Sequence, residues 1–283
     1  MITLVAFLFT HAMPTAHAAD IASVKGWHAS RSIEIDAAPE FAYHYISDFQ
    51  TWPSWTAWNA EMDPAATWSY SGTPGEPGHT STWTGPTMGD GTMSITAAEP
   101  NATLTYDLFF DNKPKANPGQ FTLTAQGDHT TVTWDSAGQM GFFGRLFFAK
   151  KVEKMIGADF EKGLANLKLL SENDAREAAK AKAVAAAKAK AAKFEASAAG
   201  ADADAAKAKE AAAAAKTAED AANTALAAAK KKDKAAAQAA ADAAKQARID
   251  AEAAAKAAAV KAVEARKAAD EAQAEVAKAE AGN

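Results

Sequence analysis

The chain has 283 residues, no cysteine and a formal net charge of −5. The missing cysteines exclude disulfides, thiolate metal sites and a cysteine nucleophile, and the charge balance lacks the basic excess of a nucleic-acid binder. A single average conceals a break near residue 174, because net charge is about −8 up to Glu172 and about +3 beyond it, and every Trp, Tyr and Pro lies before it.

At the N-terminus, Ile2 to Phe9 form an apolar run too short to span a bilayer. Ala16-His17-Ala18 comes next as a small-x-small cleavage pattern, although no Lys or Arg precedes the apolar run. Residues 1–18 read as a secretory signal peptide, with a linker over 19–26 after it. The expected location is therefore the periplasm or cell envelope, with no transmembrane span after processing. N-terminal anchoring and a cytoplasmic location are the alternatives.

A first domain is expected over residues 27–173. "ASRSIEIDA" alternates with period two and predicts a strand. "APEFAYHYISDF" predicts a helix opened by Pro39, with Phe41, Tyr45 and Phe49 on one face. A connector with Trp52, Trp55 and Trp58 comes next. Six further strands succeed it, "ATWSYSG", "HTSTWTG", "GTMSITAAE", "ATLTYDLFF", "GQFTLTAQ" and "HTTVTWDSA", separated by Gly, Pro, Asn or Asp. Short connections imply an antiparallel meander. Alternation places Trp68 with Tyr70, His79 with Ser81 and Trp83, Met93 with Ile95, and Leu104, Tyr106, Leu108 and Phe110 on common faces, then Phe121 with Leu123 and Val132 with Trp134. From Met140, an apolar stripe of Phe142, Leu146, Val152, Ile156, Phe160, Leu164 and Leu167 predicts a long amphipathic helix.

The order of these elements, with "RSIEIDAAPE", "ISDFQTWPSWTAW", "MDP", "YSG", "GDGTMSIT" and "MIGADFEKGLANLK", resembles the START/Bet v 1-like (SRPBCC) superfamily, and within it the bacterial polyketide cyclase/dehydrase-like branch. The resemblance covers about residues 27–173. It implies an α+β helix-grip fold, a curved seven-stranded antiparallel sheet around a long C-terminal helix, with a deep cavity between them. The tryptophan connector would then lie across the cavity entrance, as cap and lip. The ligand-binding residues implied are Trp55, Trp58, Trp68, Tyr70, His79, Trp83, Tyr106, Phe110, Ile156 and Phe160.

Catalytic signals are sparse. The domain histidines His28, His44, His79 and His129 fall at no ligand spacing, so no metal is expected. No nucleophile elbow, phosphate loop or dinucleotide fingerprint occurs, and no cofactor is expected. His79 and Tyr106 are the only acid–base candidates aimed at the cavity. Glu61, Asp63 and Asp90 read as turn residues.

Residues 174–283 are mostly Ala with Lys, Glu and Asp, and predict a helical or partly disordered tail, broken near Gly200. Helix from there on would reach roughly 120 Å. The large apolar residues, Val184, Phe194, Leu226, Ile249, Val260, Val263 and Val276, keep no heptad. The tail is read as a spacer or rod to a protein or envelope partner, without nucleic acid. The whole chain reads as an exported carrier or sensor of a hydrophobic small molecule or lipid. The alternatives are a cyclase, dehydratase or hydrolase using His79 and Tyr106, and a structural envelope protein with a filled pocket.

Overall fold

The computed structural model describes residues 21–110 and 115–282. The signal-peptide reading of residues 1–18 lies outside the described residues. The chain divides into two compact units, Met1–Glu177 and Ala178–Asn283.

In the first unit, β1 (Gly26–Ile35) is followed by α1 (Pro39–Ser47) and a 3-10 turn at Trp52–Ser54. Then come β2 (Thr67–Ser71), β3 (Thr80–Thr84), β4 (Gly91–Glu99), β5 (Thr103–Phe110), β6 (Asn117–Gln126) and β7 (His129–Gln139), and finally α2 (Phe142–Ala228). The seven strands form one sheet in the order β1-β7-β6-β5-β4-β3-β2, antiparallel throughout. Strands β2 to β7 are thus a meander, and β1 joins it beside β7. This is the α+β helix-grip architecture that the element order predicts.

Sidedness obeys the alternation. Leu104 faces Phe121, Phe121 faces Trp134, and Leu123 faces Val132 across neighbouring strands, and all five are buried. On α2, Phe160, Leu164 and Leu167 press against this row and are buried. The first turns of the predicted stripe behave otherwise. Phe142 and Leu146 are exposed, and burial on α2 begins only around Val152 and Ile156. The apolar period is right there, but no sheet surface lies beneath it. On α1, the buried face is Ala42, Tyr43 and Ile46, while Phe41 and Tyr45 are half-buried.

In the second unit, α2 passes through Gly200 without interruption, and the break comes after Ala228, before α3 (Lys234–Ala281). One glycine costs a helix only about 1 kcal/mol relative to alanine, and Ala198 and Ala201 beside it are shielded. The adjacent cations Lys230, Lys231 and Lys232 occupy the turn instead. Ion pairs then join α2 to α3 in opposite senses: Lys188 to Glu280, Lys190 to Glu275, Asp202 to Arg266 and Glu219 to Arg248. The tail is a pair of antiparallel helices rather than one uninterrupted helix. It also keeps a heptad after all, carried by alanine. On α2 the shielded positions are Val184, Ala187, Ala191, Phe194, Ala198, Ala201, Ala205, Ala208, Ala212, Ala215, Glu219, Ala222 and Leu226. On α3, Ala237, Ala241, Ala244 and Arg248 begin a run at the same three-four spacing that ends at Ala272, Val276 and Ala279. That is a coiled-coil seam of small side chains. Among the described residues, no helix is long and apolar enough to cross a membrane.

Candidate functional site

The concave face of the sheet divides into two halves with different packing. The deep half is filled by rings. Trp134 stacks on Phe160 with centroids 3.9 Å apart and planes at 9°, and on Phe121 at 4.8 Å. Trp52 stands edge-on to Tyr106, Phe121 and Trp134 at 5.7, 5.8 and 5.7 Å. Its indole N–H donates to the Ile46 carbonyl at 2.9 Å. Trp55 is fully buried within the same cluster, its indole nitrogen without a partner. Trp52 and Trp55 therefore belong to the interior rather than to a lip. Side chains occupy the deep part of the cavity that the family resemblance implies. Asn166 of α2 holds the connector in place by donating to the Trp55 carbonyl at 3.0 Å.

The outer half is less covered. Trp68 opposes Trp83, Tyr70 opposes Ser81, Ser81 opposes Met93 and Met93 opposes Leu108. Trp68, Tyr70, Trp83, Leu108 and Phe110 remain half-buried, as do Trp58 and Ile156 at its border. Trp83 lies across β4 because its register partner is Gly91, where a Cβ would come within 2.2 Å of the indole. The edge of Phe110 then meets that indole at 5.9 Å.

The ten ligand residues expected from the sequence separate along this division. Trp55, His79, Tyr106 and Phe160 are sealed, whereas Trp58, Trp68, Tyr70, Trp83, Phe110 and Ile156 keep accessible surface. The two acid–base candidates are both tied down. His79 Nε2 accepts the Phe49 backbone N–H at 3.1 Å, which leaves Nδ1 as the donor to the Ser71 carbonyl at 3.1 Å. The ring stacks on Phe49 at 4.9 Å, and Asp48 Oδ1 stands 3.5 Å from Nε2. The Tyr106 hydroxyl accepts the Trp134 indole N–H at 2.8 Å, and burial pushes its pKa well above the ordinary phenol range. Burial raises Tyr70 as well, with Asp48 nearby adding to the effect.

Three features escape sequence reasoning. Asp63, which reads as a turn residue, is buried and accepts the backbone N–H groups of Thr87 and Met88 at 2.8 and 2.9 Å. It ties the connector to the loop after β3. The Met88 bond, then that of Thr87, holds its carboxyl below the usual range against the opposing effect of burial. An open groove of about 450 Å³ lies between the connector and α2, lined by Pro53, Ser54, Asn59, Lys162, Asn166 and Leu169 among others. Glu34, Asp36 and His129 meet on the exposed surface with candidate ligand atoms within 4.8 Å. Strand pairing brings them together from distant sequence positions, and the contact between His129 Nδ1 and Asp36 at 2.8 Å accounts for the grouping.

An antiparallel seven-stranded sheet packed by its apolar face on the long helix that follows it defines a helix-grip fold. The chain belongs to the polyketide cyclase / dehydrase and lipid transport family, whose profile matches residues 26–172. Among solved structures, it is similar to protein CV1439 from Chromobacterium violaceum, at 13% identity over 51% of this chain and 96% of that one, with a TM-score of 0.39. It is also similar to the di-domain ARO/CYC StfQ from the steffimycin biosynthetic pathway, at 12% identity over 52% of this chain and 51% of that one, with a TM-score of 0.43. Protein Ms6760 from Mycobacterium smegmatis aligns at 13% identity over 52% of this chain and 90% of that one, with a TM-score of 0.35. No curated protein matches the chain.

Proposed function

We propose that the first unit binds a hydrophobic small molecule or lipid against the outer half of its concave face, as an exported, non-catalytic carrier or sensor in the cell envelope. The observation that carries this reading is the half-buried row of Trp68, Tyr70, Trp83, Leu108 and Phe110, large apolar side chains lining a concave surface they do not close. A ligand there would be shallowly seated, because the rings around Trp134 fill the space beneath it. The rival reading, a cyclase or dehydratase, requires a proton carrier on this face. His79 and Tyr106 supply none while their polar atoms stay bonded as described. The helical tail serves in this reading as a spacer to an envelope or protein partner.

Native mass spectrometry of the protein purified from its own cells tests the proposal. A stoichiometric apolar adduct that disappears in the Trp83→Ser variant is the expected result. A bare polypeptide mass, together with no response of tryptophan fluorescence to long-chain lipids, would overturn it.

A further inference from the structure

The first two turns of α2 carry the most exposed apolar surface of the first unit. Phe142, Phe143, Leu146, Phe147 and Phe148 are each between 57% and 72% exposed. Scattered single apolar residues on a surface mean little, but a contiguous set of this size marks an interaction site. The charges beside it indicate its occupant. Lys150, Lys151 and Lys154 come next on the helix, and all are exposed. Arg145 lies within the apolar band, and Glu153 is the only acid between Phe142 and Ala158. This cationic segment stands out in a domain whose net charge is about −8.

Spacing along the axis matters most. Four residues of helix advance about 6 Å, so Lys150 and Lys151 lie about one turn behind Leu146 and Phe147. Helical side chains lean toward the N-terminus, so the phenylalanines are displaced toward the start of the helix and away from the lysines. An apolar band backed at that distance by a cationic band matches the order of hydrocarbon and headgroups at a membrane surface. Interfacial segments bury their apolar face about 5–10 Å deep. The same end of the sheet adds exposed Lys25, just before β1, and Lys115, just before β6. The Met140 backbone N–H donates to the Lys25 carbonyl at 3.0 Å, which sets Lys25 beside the start of α2.

We propose that the N-terminal tip of α2 docks the protein onto an anionic lipid bilayer, with the phenylalanines inserted and the lysines at the headgroups. This docking does not depend on which ligand the concave face holds.

The absence of cysteine allows a single reporter. In the full chain, Phe147→Cys carries a polarity-sensitive nitrobenzoxadiazole label. Asp128→Cys, exposed in the turn between β6 and β7, is the control. With phosphatidylglycerol vesicles, the label at 147 should shift to the blue and brighten, while the label at 128 stays unchanged. Pure phosphatidylcholine vesicles should give little response. Changing Lys150, Lys151 and Lys154 together to Glu should weaken the partition at least about a hundredfold. An aqueous spectrum at 147 with anionic vesicles would overturn the proposal, even if residues 1–20 tether the chain to them. So would a spectrum already blue without lipid, which would mean that the chain's own N-terminal segment or a second copy covers the patch.

Discussion

Replacing Tyr106 with Phe removes one oxygen from the interior and little else. That oxygen accepts the Trp134 indole N–H at 2.8 Å, and both side chains are buried. The rings of Trp52, Trp55, Trp58, Phe121 and Phe160 also pack on that indole and offer no comparable acceptor, and Ser136, beside the same hydroxyl, already donates to the Pro118 carbonyl. A stranded buried donor costs about 1–3 kcal/mol. Phenylalanine fills nearly the same volume, so no cavity contribution is added. With a urea dependence of about 2 kcal/mol per molar, the midpoint should fall by about 0.5–1.5 M. Tryptophan fluorescence is the right signal, because every Trp lies before residue 174 and the tail helices are silent in it. Ligand binding on the outer half should be unchanged. A midpoint within about 0.2 M of the parent protein would refute the structural role assigned to the hydroxyl. If some turnover were lost while the midpoint held, Tyr106 would be a proton carrier after all.

Gly119→Ala should be harsher, since the new methyl would meet Tyr106 Cζ at 2.0 Å and its hydroxyl at 2.3 Å. A loss of about 3 kcal/mol or more in the same titration is expected, at the upper end for overpacking. Asp63 should make the first unit acid-sensitive. Its folded pKa lies below the unfolded value, so its contribution is complete above the unfolded carboxylate range and is lost as pH falls through the folded pKa. Urea midpoints measured from pH 6 downward should drop more steeply for the parent than for Asp63→Asn, and parallel curves would count against the bond to Met88. In the tail, Ala269→Lys places a long cation at a buried seam position, whereas Val263→Lys alters an exposed one. Thermal melting monitored by far-ultraviolet circular dichroism should show loss of cooperativity in the first variant and none in the second. Equal melting would contradict the seam.

Strand alternation was enough to say which side chains of the first unit face the helix. Leu104, Phe121 and Trp134 share the inner face because period two is a property of each strand alone. Depth was not legible, because His79, Tyr106 and Trp83 satisfy the same alternation and differ only in what α2 and the connector lay over them. The connector shows the limit most clearly. Its three tryptophans signal apolar burial, yet nothing local distinguishes a lip from a core. The distinction rests on a bond from Asn166, 111 positions away from Trp55, and on the ring of Phe160. The bond of Asp63 across the fold was hidden for the same reason, since an acid before a proline reads as a turn.

The tail presents a different problem, because its signal is carried mostly by alanine, with large apolar residues at only a few seam positions. Searching for large apolar side chains finds the buried Val276 together with Val260 and Val263, both exposed, and misses Ala262 and Ala269, which precede Val276 at strict seven-residue intervals and are buried with it. In a sequence where alanine is everywhere, its placement at seam positions carries no contrast. Only the absence of Lys, Glu and Asp from most of those positions betrays it. The exception is Glu219 with Arg248, opposite charges at seam positions that pair with each other. Burial yields only about 0.8 kcal/mol per methyl-sized group, so an alanine seam gains little at each step and must be long to hold two helices together. A helix of 48 residues paired along a partner of similar length meets that requirement, and the low-complexity composition is its consequence. Small side chains let the backbones approach closely, and repetition supplies the stability that no single contact provides.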